Sequence, residues 1–446
     1  MTVIVRFAPS PTGRLHAGTV RTALFNWLFA HQNGGKFLLR LDDTDTERST
    51  EAFAQGIIED LDWLGLKHDL FARQSQRIAA YKDAAERLKA AGRLYPAFET
   101  EEELEKKRRI QRARGLPPIY DRAALGLSDL DRAHLEGEGR KPHWRFRLDH
   151  RHVVFRDLIR GEQSIDTGSQ SDPVLIREDG SFLYTLPSIV DDIEFGITHI
   201  IRGEDHVANT GTQIEIFEAL GARLPHFAHF ALIVDAEGGK LSKRLESLSI
   251  AGLRERGLEP MAILSLLARL GTSDPIEPMI DLGALASGFH IDHIGRAPAR
   301  FDEADLEKLN ARVLHAMPYA QVRDRLAALG VSGGERFWLV VRGNLERLSD
   351  AARWWRVIEG PFEGAMVDRP YTARAAALLP PEPWDETSWE GWVAAVKADT
   401  GRVGKELFTP LRTALTGLGH GPEMKSLLPL IGRARAEKLL RGEKVE

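Results

Sequence analysis

The fold is decided by the start of the chain, which reads VIVRFA at residues 3–8, PSPTG at 9–13, a helical pattern over 17–31 and KFLLRL at 36–41. The first segment is short, β-branched and apolar, which predicts a buried strand. The helical pattern ends before Asn33-Gly34-Gly35, a typical helix stop. A strand, a glycine-bearing turn, a helix and a second strand at this spacing form a βαβ unit. We therefore predict a parallel, doubly wound sheet and an α/β fold.

The sheet is predicted to be interrupted, because strand patterns return only at Thr198 to Arg202 and at Phe230 to Asp235. Residues from about 115 to 170 are rich in Pro, Gly, His and Arg and lack a long period, which indicates an inserted mixed α/β subdomain. From about residue 250 onward the patterns are helical. We expect an all-α C-terminal half that is split near Met317-Pro318.

The composition excludes several kinds of chemistry. The 446 residues carry a net charge of −5 and include no cysteine, so disulfides, thiolate catalysis and cysteine-bound zinc are excluded. No global positive field indicates a nucleic-acid partner, and any such binding must rest on local patches. The N-terminal residues do not resemble a secretory signal, and no apolar run reaches the length of a membrane span. The default expectation is a cytoplasmic protein.

The turn after the first strand, PSPTGRLHAGT at residues 9–19, is a candidate phosphate site. The N-terminus of a helix offers free N–H groups and the positive end of the helix dipole, and both favour an anion. His16 can donate a hydrogen bond to a phosphoryl oxygen, and Gly18 leaves room for a purine ring or a ribose. The turn has neither the Walker A nor the GxGxxG pattern. Alone, it is equally compatible with a surface turn that carries an incidental histidine.

A second candidate segment is KLSKR at residues 240–244, which follows the apolar run FALIVD and a glycine-rich turn. Two lysines and a serine on such a loop can reach phosphates, and catalysis of nucleotidyl transfer is mostly positioning and charge stabilisation. A solvated basic loop is the more common meaning of a charge run, so this signal is modest by itself.

Together, the two segments resemble the two signatures of class I aminoacyl-tRNA synthetases, which are known by the consensus letters HIGH and KMSKS. Other segments are similar to glutamyl-tRNA synthetases over residues 3 to about 440. These segments are RFAPSPTG (6–13), LDDTDTERS (41–49), YTLPSIVDD (184–192), GITHIIRGEDH (196–206), PLRTALTG (410–417) and GPEMKSLLPLIGRARAEKLL (421–440). The continuation LESLSI at 245–250 resembles a second, paralogous type found in some bacteria.

The resemblance implies a reaction in two steps. The carboxylate of L-glutamate attacks the α-phosphorus of ATP, and the glutamyl-adenylate is then transferred to the terminal ribose of tRNA. It implies Mg²⁺ with ATP, bound largely through phosphate and water. The tRNA is expected to be tRNA-Glu, with tRNA-Gln left open, and the enzyme is expected to be a monomer. His16 and Lys243 are the implied catalytic residues, and the implied ATP contacts are His16, Gly18, Thr19, Lys240, Ser242 and Lys243.

The resemblance also implies the glutamate contacts, which are Arg6, Ser10, Asp42, Tyr184 and Arg202. Arg6 and Arg202 suit a substrate carboxylate, because guanidinium and carboxylate pair in a bidentate way. Asp42 suits the substrate ammonium and is one methylene shorter than the glutamate usual in the family. From the residues alone, a surface, turn or core position is the favoured interpretation of these side chains, and only the resemblance reverses that preference.

For tRNA, the resemblance implies a contact at Arg48 and makes Lys106 and Arg108 candidates within a basic helical cluster. A solvated helix, balanced by neighbouring glutamates, is an equal interpretation of that cluster. The implied division has a nucleotide-binding catalytic domain in two halves, an inserted acceptor-end subdomain, a helical stem-contact region and a helical anticodon-binding region. The corresponding residues are 1–80 and 186–240, 81–185, 241–310 and 311–446.

The sequence departs from the family pattern at several positions. YPAFE at residues 95–99 stands where some members have a cysteine pair for zinc, so no zinc site is expected. Ser188 and His206 differ from the common residues and are expected to tune substrate contacts. The carboxylates of Asp191 and Asp192 are expected to cap and position the next element rather than to act as an acid–base pair.

Several rival functions remain to be compared. A short paralogue that glutamylates a tRNA base lacks the residues from about 310 onward, and glutaminyl-tRNA synthetase needs a β-barrel that has no strand pattern here. A nucleotidyltransferase is usually much shorter. The alternative from a different class is a catalytically inactive tRNA-binding homologue, against which His16, Gly18, Lys240, Ser242 and Lys243 argue.

Overall fold

The computed structural model describes residues 2–235, 237–239, 248–365 and 367–446. They form two compact units. The first comprises Met1–Leu253, Leu264–Ile276 and Asp281–Asp302, and the second comprises Arg254–Ile263, Glu277–Ile280 and Glu303–Glu446.

The strands lie in the first unit. They are β1 (Ile4–Phe7), β2 (Lys36–Leu41), β3 (Leu70–Arg73), β4 (Leu94–Ala97), β5 (His143–Phe146), β6 (His152–Asp157), β7 (Gly161–Asp166), β8 (Val174–Ile176), β9 (His199–Gly203), β10 (His226–Phe230), β11 (Ile233–Val234) and β12 (Ala299–Arg300).

The helices follow in chain order. They are α1 (Ala17–Gln32), α2 (Glu51–Leu64), α3 (Ile78–Ala90), α4 (Glu101–Ala113), α5 (Asp129–Gly137), α6 (Thr185–Glu194), α7 (Val207–Ala219), α8 (Ile250–Glu255), α9 (Pro260–Arg269), α10 (Leu282–Ser287), α11 (Glu303–Ala316), α12 (Tyr319–Ala328), α13 (Gly334–Val341), α14 (Asp350–Ile358), α15 (Arg369–Ala377), α16 (Ser388–Thr400), α17 (Gly404–Thr416), α18 (Met424–Ile431) and α19 (Arg433–Leu440).

The predicted βαβ unit is confirmed by β1, α1 and β2. The two strands are parallel, with Val5 opposite Phe37. Helix α1 buries Leu24, Phe25 and Leu28 completely, and burial of each such side chain contributes about 1.5–3 kcal/mol. Gly35 is required where the helix returns to the sheet, because a Cβ there would lie 2.4 Å from the carbonyl oxygen of Val3.

The parallel sheet is interrupted in sequence and continuous in space. One part has the order β3-β2-β1, and the other has the order β9-β10-β6-β7. Thr198 joins the two parts, since its amide donates to the carbonyl of Ile4 at 2.9 Å and its hydroxyl accepts from the Ile4 amide at 2.9 Å. The predicted return of the sheet at Thr198 to Arg202 is confirmed. The carboxyl ends of β1, β9 and β10 therefore open on the same edge.

The strand predicted at Phe230 to Asp235 is wrong in its bounds. Strand β10 ends at Phe230, and the carbonyl of the next residue, Ala231, accepts a hydrogen bond from the side chain of Arg21 at 2.9 Å. The backbone of Ile233 and Val234 then pairs with β12. The apolar run from residue 230 to 234 therefore continues past the end of β10, and its hydrophobic pattern gives no sign of where the strand ends.

The residues between the two halves of the sheet form two separate structures. Strands β4, β5 and β8 make a small antiparallel sheet. The hairpin of β6 and β7 instead extends the parallel sheet beside β10. Helix α4 begins with a capping box, in which Thr100 and Glu103 exchange hydrogen bonds.

The second unit is helical over its described residues, as predicted for the C-terminal part. Its core includes the buried indoles of Trp338 and Trp392, whose N–H groups donate to the carbonyls of Met317 and Ala375 at 2.9 Å each. The predicted break near Met317-Pro318 separates α11 from α12. Within the described part of the chain, every helix is too short or too polar to span a bilayer.

Candidate active site

A cavity of about 570 Å³ opens at the carboxyl edge of the parallel sheet, beside the N-terminus of α1. This is the edge where open α/β sheets bind their ligands. Seven of the residues singled out in the sequence line it, although they come from four separate segments of the chain. They are Arg6, His16, Gly18, Thr19, Tyr184, Arg202 and His206.

His16 is the N-cap residue of α1 and has an extended backbone, with φ −128° and ψ 165°. Burial lowers the pKa of its imidazole below the ordinary value. Its Nδ1 is buried and meets no hydrogen-bond partner among the described residues. Gly18 makes room for this ring, because a Cβ at Gly18 would lie 3.2 Å from two of its atoms. The geometry thus provides a neutral imidazole beside a helix N-terminus, which suits an anion.

Lys240, Ser242 and Lys243 lie outside the described residues. The residues that precede and follow this segment are described, and they lie beside the cavity and the start of α1. Val234 lines the cavity. After the segment, Leu248 accepts a hydrogen bond from the amide of Ala17 at 3.2 Å.

Arg6 extends from β1 into the cavity and is 4% exposed. Its Nε lies 3.2 and 3.3 Å from the two carboxylate oxygens of Asp192. The same carboxylate accepts a hydrogen bond from Arg40 Nη1 at 2.9 Å. Asp192 therefore orients the guanidinium of Arg6 from the side away from the cavity.

Asp42 does not line the cavity, and its carboxylate is buried and pairs with Arg40. Arg40 Nε and Nη2 donate to its two carboxylate oxygens at 2.7 and 3.1 Å. Burial raises the pKa of Asp42 to about 6, against the opposing effect of Arg40. Arg40 is fully buried, and its three aspartate neighbours raise its pKa although burial alone would lower it. The guanidinium therefore stays charged.

The expectation that Asp191 and Asp192 cap the next element is wrong. Both side chains lie in α6 and are buried against arginines of other elements. Asp191 accepts hydrogen bonds from Arg77 Nε at 2.6 Å and from the hydroxyl of Tyr81 at 3.0 Å. Two adjacent buried carboxylates need cationic partners, because an unpaired buried charge is very unfavourable.

Arg40 is a site residue that the sequence reasoning missed. It binds Asp42 and Asp192, and its Nη2 donates to the hydroxyl of Ser188 at 3.1 Å. The signal for it was an arginine between the apolar residues Leu39 and Leu41 in the buried part of β2. A charged residue in a buried parallel strand indicates an internal ion pair.

Arg202 is the second guanidinium of the cavity and is 5% exposed. Its Nη2 donates to Thr210 Oγ1 at 2.9 Å and to Gln213 Oε1 at 2.7 Å, and its Nε donates to His229 Nε2 at 3.0 Å. Burial lowers the pKa of Arg202 to about 10, so it remains a cation at neutral pH. Tyr184 is 40% exposed and lines the same cavity.

The remaining predicted residues lie elsewhere on the first unit. Ser10 is exposed in the turn before α1, and its carbonyl accepts from the Thr12 amide at 2.8 Å. Arg48 is exposed and pairs with Asp45 at 2.6 Å. Lys106 and Arg108 are on α4, where Arg108 pairs with Glu105 at 3.4 Å.

The described residues contain no cluster of three or more histidine, aspartate or glutamate side chains arranged to hold a metal ion. Mg²⁺ that accompanies a nucleotide is usually bound through phosphate oxygens and water. Two buried guanidiniums, a neutral histidine and a helix N-terminus provide contacts for two anionic groups in one cavity.

Comparison with known families agrees with this geometry. The family described as tRNA synthetases class I (E and Q), catalytic domain, matches residues 2–308, and an anticodon binding domain matches residues 372–441. Glutamate--tRNA ligase 1 of Parvibaculum lavamentivorans is 62% identical over 98% of this chain and 98% of its own. Glutamate--tRNA ligase 2 of Methylobacterium sp. is 60% identical over 99% of this chain and 100% of its own.

Among solved structures, a glutamate tRNA ligase from Elizabethkingia meningosepticum, crystallised in complex with its amino acid, is similar with a TM-score of 0.85 and 29% identity. The match covers 99% of this chain and 98% of that one. The sequence matches to the two relatives and the structural match to the solved ligase each cover nearly the whole of both chains. The chain therefore belongs to the glutamate--tRNA ligase family of class I aminoacyl-tRNA synthetases.

Proposed function

We propose that this chain is a glutamate--tRNA ligase that activates L-glutamate with ATP and transfers it to the 3′ end of tRNA. One observation carries the proposal: Arg6 and Arg202 reach the same cavity as His16 and the N-terminus of α1. The guanidiniums suit an acidic amino acid, and the helix terminus suits a nucleotide phosphate.

In the proposed amino-acid subsite, Arg6 and Arg202 bind the side-chain carboxylate of glutamate, and Tyr184 contributes its exposed hydroxyl. Asp42 receives the substrate ammonium. A carboxylate has about four lone-pair sites, and the two bonds from Arg40 leave acceptor capacity on Asp42. Ser10 is proposed for this subsite by its motif alone, since it lies in the turn before α1 and does not line the cavity.

In the proposed nucleotide subsite, His16, Gly18 and Thr19 hold the phosphates and the adenosine at the N-terminus of α1. Lys240, Ser242 and Lys243 belong to this subsite by their motif, and Lys243 neutralises charge that builds on the phosphates in the transition state. Mg²⁺ would supply further charge neutralisation when bound with ATP. The attacking group is the substrate carboxylate, so the chain needs to supply orientation and charge and no strong base.

The second unit supports a tRNA partner through a groove of about 700 Å³. Trp389 and Phe408 line it with their rings 6.5 Å apart, and Phe408 is 44% exposed. Arg412 also lines it, and its buried Nη1 has no hydrogen-bond partner within the described parts of the chain. Aromatic faces with a free guanidinium suit an unstacked base of a single-stranded loop. We propose that this groove contacts the anticodon.

We further propose that residues 81–185 receive the acceptor end, with Arg48, Lys106 and Arg108 near the tRNA backbone. The substrate is tRNA-Glu, and charging of tRNA-Gln is a second outcome to be measured. The proposal includes no zinc, because Ala97 and Glu99 stand at the two cysteine positions of the zinc motif and Glu99 accepts a hydrogen bond from the Tyr120 hydroxyl at 2.8 Å. The proposal also includes a monomer that acts in the cytoplasm.

The amino-acid part of the proposal is tested by substrate competition. Unlabelled L-aspartate, L-glutamine and L-glutamate compete with labelled glutamate in tRNA charging by the wild-type enzyme and by Arg6→Gln. The wild type is expected to prefer glutamate strongly over glutamine. Arg6→Gln should lose most of that preference, because a neutral amide does not favour a carboxylate over an amide. A wild-type enzyme that prefers glutamine would refute the assignment of the cavity.

A further inference from the structure

A row of three buried polar side chains leads from the cavity into the parallel sheet. Arg202 on β9 lies opposite His229 on β10 in the strand register, and its Nε donates to His229 Nε2 at 3.0 Å. On the far side, His229 Nδ1 lies 2.6 Å from Asp157 Oδ2, at the end of β6. His229 is fully buried and Asp157 is 1% exposed. Only Arg202 reaches the cavity among these three.

The hydrogen bonds determine the protonation state of His229. An arginine guanidinium has only donors, so the imidazole nitrogen facing it must carry a lone pair. The proton of the neutral ring is then on Nδ1, where it is donated to Asp157. Asp157 cannot turn away, because its other oxygen accepts from the amides of Ile159 at 2.9 Å and Arg160 at 2.8 Å.

We propose that His229 and Asp157 are positioning residues that hold the Arg202 guanidinium in the orientation that binds the acidic side chain of the substrate. The inference rests on the proposed function, in which Arg202 contacts that carboxylate. Asp157 selects the tautomer of His229, and the tautomer in turn decides whether His229 accepts from Arg202 Nε or opposes it. Neither residue needs to contact the substrate.

The charged groups around His229 favour its neutral form. Arg202 on β9 and Arg160 after β6 oppose a proton on the ring, and Asp157 favours one. Burial is the largest effect and lowers the pKa of His229 below the ordinary value. His206, at the start of α7, is itself held neutral by burial and by Arg202, which lower its pKa. The lone pair that Arg202 Nε requires is thus kept at neutral pH.

The hydroxyl of Thr210 completes the set of contacts. Its oxygen lies 3.2 Å from His229 Nε2 and donates to the backbone carbonyl of His206 at 3.1 Å. The same oxygen accepts from Arg202 Nη2 at 2.9 Å. Because its proton is directed to a carbonyl, Thr210 leaves the lone pair of His229 to Arg202. Two edges of the guanidinium are therefore held by acceptors, which leaves little rotational freedom.

Asp157→Asn tests the proposal directly. The amide keeps the size of the side chain and an oxygen for the backbone amides of Ile159, Arg160 and His229, but it turns a donor toward His229 Nδ1. The proton of the imidazole must then move to Nε2, where the two N–H groups of His229 and Arg202 face each other. In serine proteases, the same Asp→Asn change beside the catalytic histidine also selects the wrong tautomer. With tRNA and ATP saturating, we expect the KM for glutamate to rise at least about tenfold with kcat nearly unchanged, the pattern of lost uniform binding. The KM for ATP should stay at the wild-type value.

Asp172→Asn is the matched control. Asp172 is equally buried and accepts from Tyr95 Oη at 2.7 Å and from the Leu148 amide at 3.0 Å. Its partners do not line the cavity, so an effect of lost stability alone would appear in both variants. A KM for glutamate that rises equally in the two variants would overturn the proposal, as would a wild-type KM in a folded Asp157→Asn enzyme.

Histidine side-chain ¹⁵N spectra of the wild-type enzyme give a second readout, which reports the protonation state of His229 itself. In the wild-type enzyme, His229 should be neutral with its proton on Nδ1, assigned by loss of the signal in His229→Gln. A charged ring or a proton on Nε2 would overturn the proposal. His229→Gln can still offer an acceptor to Arg202, and its KM for glutamate should lie closer to wild type than that of His229→Ala. If the wild-type enzyme does not charge glutamate at all, the proposed function fails and this inference fails with it.

Discussion

The amide of Ile250 donates a hydrogen bond to the carbonyl of Leu15 at 2.9 Å. With the backbone bridge between His16 and Ser249, it ties the chain that follows the KLSKR segment to the start of α1. Two segments that are more than 200 residues apart in sequence therefore meet beside the candidate nucleotide subsite. This contact is the structural reason to treat His16 and Lys243 as parts of one site.

Lys243→Ala should slow adenylate formation while leaving glutamate binding largely intact. The lysine is proposed to act on charge that develops in the transition state, so its loss should lower kcat by about 100-fold or more and leave the KM for glutamate close to wild type. ATP–pyrophosphate exchange in the presence of tRNA measures this. The control is Lys36→Ala, an exposed lysine at the start of β2. An unchanged exchange rate in Lys243→Ala would remove the lysine from its role.

Asp192→Asn should destabilise the first unit and weaken glutamate binding. The carboxylate is 3% exposed and serves both Arg6 and Arg40. Breaking a buried ion pair on one side costs about 3–5 kcal/mol, which urea unfolding would measure. Asp129→Asn is the control, because Asp129 pairs with Arg132 in full contact with solvent and should have little effect. Equal stability of the two variants would contradict the role assigned to Asp192.

The stability of the first unit should fall in mild acid, in part through His199. Burial, with a smaller effect of His226, lowers the pKa of His199 to about 4 in the folded protein. The unfolded chain keeps an ordinary pKa near 6.5, so it binds the proton first. The contribution of His199 to stability is therefore complete above pH 6.5 and is lost as the pH falls toward 4.

His199→Asn tests this pH dependence and can keep an acceptor for Thr198 Oγ1, which lies 2.8 Å from His199 Nδ1. The apparent Tm of the variant should fall less steeply between pH 6.5 and 4 than that of the wild type. His134→Asn, at a side chain that is 77% exposed, should leave the slope as it is. If the Tm of His199→Asn depended on pH as steeply as that of the wild type, another group would be responsible for the loss of stability in acid.

Arg412→Ala should raise the KM for tRNA and leave the KM for glutamate as it is. The arginine lines the aromatic groove of the second unit, and loss of a contact to a base costs about 1–3 kcal/mol. Lys405→Ala removes one positive charge from an exposed position of the same helix, α17. It should have a smaller effect, which would show mainly in the salt dependence of binding. Equal effects of both variants would indicate a general electrostatic contribution and no base contact.

Much of the fold could be predicted from local patterns, because the βαβ unit is written in short segments. The apolar strand, the helix N-terminus at Ala17 and the glycine stop after it are all encoded within about three residues of where they act. The end of β10 at Phe230 was not predictable in this way. Arg21, far away in sequence, captures the next carbonyl, and the apolar run itself continues.

The site residues also fall into two groups, those that local motifs identify and those that depend on contacts distant in sequence. Arg6, Tyr184 and Arg202 could be named because their motifs resemble a family, while composition and periodicity alone left each of them ambiguous. Arg40 and the row from Arg202 through His229 to Asp157 could not be named. Their roles arise from contacts between residues as many as 152 positions apart, and such pairings are created by the order of the strands in the sheet.

The most direct test of the account is aminoacylation of purified tRNA-Glu and tRNA-Gln with labelled glutamate and, separately, with labelled glutamine. The account predicts ATP-dependent formation of an alkali-labile glutamyl ester on tRNA-Glu, and none with glutamine on either tRNA. Glutamate on tRNA-Gln as well would extend the tRNA range without changing the amino acid. Charging with glutamine, or no charging of either tRNA by a folded enzyme, would contradict it.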